Sequence, residues 1–158
     1  MPLPGKSRYV MDARPAPRAG VTLFCARGEL TRRCVRVVLA MIRAPKCLGT
    51  RLHGKVAGGG VGLVAASYFS MAVGAASAML SELAVGIGPF VVGPAIERKI
   101  GLAAFSAMAV DADWRDAAWC ERHGLYSRVY NDPSEMDDAV GALAATLAKS
   151  NPDAMARL

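Results

Sequence analysis

The apolar positions along the chain fall into short blocks whose spacing changes several times. Leu30, Cys34, Val37, Val38 and Met41 recur at helical intervals with arginines on the opposite face, which predicts a helix from Leu30 to Met41 that Pro45 stops. Before it, Val21–Cys25 has the β-branched and aromatic content of a strand. After it, Cys47 to His53 reads as a second strand running into Gly54. Tyr68 to Val73 and Ala78 to Leu80 read as two more, placed around a turn at Gly74. Phe90 to Ile100 then has Val91, Val92, Ala95, Ile96 and Ile100 on one side and Glu97, Arg98 and Lys99 directed outward, with Gly101 as a stop. Helical spacing returns over Ala103 to Val110 and over Asp113 to His123, the latter closed by Gly124. Leu125 to Tyr130 is strand-like. Asp132-Pro133-Ser134 opens a last amphipathic helix, with Ser134 and Asp137 at capping-box spacing, and Asn151-Pro152 begins a short terminal one. Strands alternating with helices give the fold class α/β.

Composition sharpens this picture. Of the 158 residues, 53% are apolar or aromatic and only 6% aromatic, which points to one core packed around small side chains and excludes general disorder. The net charge of +6 conceals two unlike halves. Up to Lys55, twelve Lys and Arg face two acids, whereas from Val56 onward seven bases face eleven acids. The basic half suits an anion-binding arm, a transit segment or a solvated helix face. It has no aromatic interleaving or base-reading motif, which argues against nucleic acid as a partner. Pro2-Leu3-Pro4-Gly5 and Arg14-Pro15-Ala16-Pro17-Arg18 mark residues 1–20 as a flexible basic, proline-rich segment.

Cys25, Cys34, Cys47 and Cys120 have no paired spacing, and His53 and His123 add no clustered ligands. We therefore expect no metal site, and thiols in a reducing compartment: the cytoplasm, or the mitochondrion in a eukaryotic cell. Val56 to Ser81 contains no charge over twenty-six residues, which raises the question of a membrane span. Its glycine, alanine and serine content gives it a poor transfer energy and argues against one.

Gly54-Lys55-Val56-Ala57-Gly58-Gly59-Gly60-Val61-Gly62-Leu63 is the most informative segment, a strand–glycine–helix junction. Glycine lets a ligand approach the backbone, and the first N–H groups of a helix have no partner inside it. Such a place binds phosphate or stabilises a developing oxyanion, and it also serves close packing of helix on sheet. Gly60-Val61-Gly62-Leu63-Val64-Ala65 satisfies a dinucleotide pattern, with Glu82 twenty residues beyond Gly62, although two further glycines precede it.

The same glycines in order with Leu80-Ser81-Glu82-Leu83-Ala84-Val85-Gly86-Ile87-Gly88-Pro89 closely resemble the enoyl-CoA hydratase/isomerase (crotonase) superfamily. Ala117 to Val129 and Ala144 to Ala156 extend the resemblance. The wording around Gly86-Ile87-Gly88-Pro89-Phe90 is most similar to methylglutaconyl-CoA hydratase-type members. The resemblance implies a crotonase-like spiral of short strands and helices, shortened at the N-terminus, with a core over 21–110 and a C-terminal helical region for self-association over 111–158. It implies Glu82 as the catalytic carboxylate, Gly59 as one oxyanion-hole N–H and Gly28, through Phe24-Cys25-Ala26-Arg27-Gly28, as the other. Ala26, Gly58, Gly60 and Pro89 would line the substrate. Coenzyme A would enter as part of an acyl-CoA thioester, with no other cofactor, and the assembly would be a homotrimer or hexamer.

Two departures matter. Arg27 stands where the family prefers glycine, and Gly62 stands where two-carboxylate hydratases place their other glutamate. A lone Glu82 suits hydration of an enoyl-CoA with help from another polar group, or double-bond isomerisation. The rival readings are a catalytically impaired fragment or paralogue serving as a binding or assembly subunit, a small membrane protein, and a dinucleotide-binding protein.

Overall fold

The computed structural model describes residues 10–13 and 28–155. In the middle of the chain, two successive passes each cross two sheets before a helix returns the chain. Strand β1 (Val10–Ala13) is followed by helix α1 (Gly28–Ile42), then β2 (Gly49–Leu52), β3 (Lys55–Ala57) and α2 (Gly59–Ala66). The next pass is β4 (Phe69–Val73), β5 (Ser77–Met79), a 3-10 turn (Leu83–Val85) and α3 (Gly93–Asp111). The last comprises β6 (Arg115–Asp116), α4 (Ala117–Arg122), β7 (Arg128–Tyr130), α5 (Pro133–Leu147) and α6 (Pro152–Met155). One sheet is parallel throughout in the order β1-β2-β4-β7. The other has the order β3-β5-β6, with β3 parallel and β6 antiparallel to β5.

Several expectations need correction. Val10–Ala13 pairs in register with Gly49–Leu52, so a strand lies within the stretch read as flexible. The expected strand over Val21–Cys25 falls outside the described residues. Asp113–His123 is not one helix, because Arg115 pairs with Ala78 and Asp116 then caps α4 by accepting the Trp119 N–H at 2.7 Å. The C-terminal region thus supplies β6 and β7 to the two sheets besides its helices. The cap of α5 is Asp132 rather than Ser134: Asp132 accepts from Glu135 N–H at 2.9 Å, while the Glu135 carboxylate accepts from Asn131 N–H at 3.2 Å. Helix α3 begins at Gly93 and not Phe90, since Pro94 fits only a first turn, and Gly101 breaks it with φ 78° and ψ 160°.

The core sits between the sheets and helices α1 to α5. Val61, Ala72, Ala78, Ile96, Met108 and Met136 are fully buried there. Ala65, Ala66, Ala72, Ala76, Ala78 and Ala95 are among the buried residues, in keeping with a core packed around small side chains. The uncharged run from Val56 to Ser81 is cut into β3, α2, β4 and β5, and among the described residues no helix is long and apolar enough to cross a membrane.

Candidate active site

The end of β5 and the start of α2 are fastened together at one glycine. Gly58 donates its N–H to Met79 O at 2.9 Å and has φ +54°, a conformation that side chains rarely adopt. Gly59 is the first residue of α2, and amides of a first helical turn have no acceptor within the helix. The fastening brings Ser81 and Glu82, which follow β5, over the bare face of Gly58. A Cβ built on Gly58 would stand 3.5 Å from Glu82 Oε1 and 3.5 Å from Ser81 Oγ.

Glu82 is placed by backbone geometry. Its carbonyl accepts from Val85 N–H at 3.1 Å and Ile87 N–H at 3.0 Å, which closes the 3-10 turn that follows it. Burial pushes the carboxyl above the ordinary carboxylate range, while the N–H groups of Glu82 and Ser81 pull it back. Glu82 Oε2 is buried and has no hydrogen-bond partner. A desolvated carboxyl with an unpartnered oxygen, beside the glycine that leads into the first turn of α2, is equipped to exchange protons next to a developing negative charge.

The remaining expected residues are dispersed. Gly60 turns toward Val56, whose Cγ2 would be 2.6 Å from an added Cβ, so it is a packing glycine. Gly62 faces Val92, whose Cβ would lie 2.7 Å from an added Cβ; no side chain fits there unless Val92 moves. Both glycines lie inside α2, so the dinucleotide arrangement, which needs a strand ending at the first of them, is absent. Pro89 accepts from Gly93 N–H at 2.7 Å and positions the start of α3. Gly28 opens α1, which packs on α2, and Ala26 lies outside the described residues. Lys99 turns inward instead of outward: its Nζ donates to Ser67 O at 2.7 Å and Val64 O at 3.3 Å, at the far end of α2. Ser81 was visible only as the neighbour of Glu82, and Val92 and Lys99 gave no sign in sequence of their contacts with α2.

The model of the enoyl-CoA hydratase/isomerase family matches residues 28–158. The chain belongs to that family. Solved structures agree on the crotonase-like fold. An enoyl-CoA hydratase from Mycobacterium smegmatis is 30% identical with a TM-score of 0.76, and the match covers 81% of this chain and 49% of that one. Pseudomonas aeruginosa AtuE is 28% identical with a TM-score of 0.78, over 82% of this chain and 50% of that one. An enoyl-CoA hydratase/isomerase family protein from Silicibacter pomeroyi is 27% identical with a TM-score of 0.76, over 82% and 55%. This member of the family therefore spans about half the length of the solved structures it matches. Comparison with curated proteins gives no match.

Proposed function

We infer that this chain acts on an acyl-CoA thioester by stabilising its enolate, and that the reaction is hydration of an enoyl-CoA. The observation that carries the reading is the desolvated Glu82 carboxyl, with its unpartnered oxygen, held against Gly58 at the open end of α2. In this reading Gly59 N–H receives the thioester oxygen, and Gly28, at the start of the helix packed on α2, is the candidate for the second donor. As water adds to Cβ, Glu82 takes one of its protons and the double-bond electrons move onto the thioester oxygen. Glu82 then returns that proton to Cα. One backbone donor to such an oxyanion is worth about 3 kcal/mol of transition-state stabilisation. A carboxyl whose pKa is raised by burial serves both halves of the transfer.

The test is turnover of crotonyl-CoA and methylglutaconyl-CoA by the wild type and by Glu82→Gln. The variant should lose roughly 10²- to 10⁴-fold in kcat. Equal rates, or equal inertness, would overturn the assignment and leave a binding or assembly subunit. Methylglutaconyl-CoA is included because of the wording around Gly86-Ile87-Gly88-Pro89-Phe90.

A second reading, double-bond isomerisation, is favoured by Gly62. Val92 closes that position to any second carboxylate, and one Glu82 suffices to move a proton between Cα and Cγ. Conversion of a 3-enoyl-CoA to its 2-enoyl isomer without water uptake would select it. Assembly as a trimer or hexamer belongs to the same proposal, supported by exposed apolar side chains such as Phe90, at 86%, and Val110, at 74%.

A further inference from the structure

Adding water to Cβ needs more than a base. The attacking water gives one proton to the carboxylate and must be held by a second hydrogen bond, so that its lone pair points at carbon. Two side-chain oxygens stand equally near the bare face of Gly58: Glu82 Oε1 and Ser81 Oγ, each 3.5 Å from the same point. The Ser81 hydroxyl makes no hydrogen bond among the described residues, and Ser81 is only half-buried. Gly58 has no side chain beneath them, and its backbone is held by the bond to Met79 O. A hydroxyl can donate to a water while the carboxylate accepts from it, so the pair completes the water's hydrogen bonding on two sides.

We propose that Ser81 is a catalytic residue for hydration: its hydroxyl holds the water that Glu82 deprotonates. The step is balanced. The water oxygen bonds to Cβ, its proton passes to Glu82 and on to Cα, and Ser81 ends as it began. The inference rests on the enolate reading above, and it makes Ser81 the residue that separates hydration from simple proton transfer. Exchange of an α-proton needs Glu82 and the oxyanion donor but no held water.

The experiment measures two reactions in the full 158-residue chain. One is hydration of crotonyl-CoA, followed by loss of the conjugated double bond. The other is exchange of the α-protons of butyryl-CoA with deuterium oxide, followed by NMR. Ser81→Ala should lower kcat for hydration roughly tenfold to a hundredfold with KM and exchange unchanged. Ser81→Thr, which keeps the hydroxyl, should restore hydration. An unchanged hydration rate in Ser81→Ala overturns the role of Ser81 while leaving Glu82 chemistry intact, and so does an equal fall in both reactions, since that marks a structural effect. Absence of both reactions in the wild type overturns the enolate reading itself.

Discussion

At the C-terminal end of α2, Val64 O accepts from Ser67 N–H at 3.2 Å, Ser67 Oγ–H at 2.6 Å and Lys99 Nζ at 3.3 Å. Ser67 Oγ also lies 3.1 Å from Thr50 Oγ1, and Ser67 O accepts from Lys99 at 2.7 Å. The N-terminal end of the same eight-residue helix is the reverse: a first-turn glycine amide, a carboxyl oxygen without a partner and a hydroxyl without a hydrogen bond. A short helix is marginal by itself, so its placement comes from packing and end contacts. Saturating one end and closing the middle against Val92 holds the helix in place while the other end stays open for chemistry. Unmet polar groups are destabilising, and in the proposed function they stand where a substrate would meet them.

Substitutions can break this contrast. The largest effect on stability is expected in the middle of the helix. Gly62→Ala forces the new methyl into Val92, and overpacking of this kind costs about 1–3 kcal/mol. Denaturant unfolding should show the loss, and adding Val92→Ala should recover part of it, because the two side chains would share one space.

At the saturated end, Lys99→Met removes both bonds to carbonyls and should cost about 1 kcal/mol. The pH dependence sharpens this. Burial, with Arg98 nearby, lowers the Lys99 pKa from 10.5 to about 8. Between those values the unfolded chain binds the proton that the native state releases, so native stability rises with pH across that window. The wild type should gain on Lys99→Met from pH 8 to 10.5, and a constant gap in thermal scans over that range would refute the assignment.

The smallest effect belongs to the open end, and its sign is opposite. Glu82→Gln removes a desolvated charge, so it should raise the melting temperature at neutral pH. Because the native carboxyl titrates above its ordinary value, native stability falls as pH rises through that raised pKa. The gain should therefore disappear as the pH drops toward 4.5, where the wild-type carboxyl is neutral as well.

Much of the frame was legible along the chain. Helix α1, strands β4 and β5, the break at Gly101 and the last helix follow from spacing, glycine and proline, since these act over a few residues. The glycine triplet with Glu82 pointed to the candidate site for a related reason: bare amides and an isolated acid in an apolar run are visible as residue types. Strand β1 was missed because a four-residue strand is defined by its partner, here Gly49–Leu52, and not by its own pattern. Asp113–His123 kept a helical period although Arg115 pairs across to Ala78.

What the sequence determined by itself was the inventory: which local elements can form, that Gly58 can turn the chain, and that one acid stands in an uncharged stretch. Tertiary structure alone decided that Gly62 faces Val92 while Gly58 faces two oxygens, that Lys99 reaches inward, and that Ser81 shares space with Glu82. Those outcomes depend on how strands and helices from separate passes dock. A glycine is the same residue in either place until a neighbour arrives to fill, or leave open, the volume a side chain would have taken.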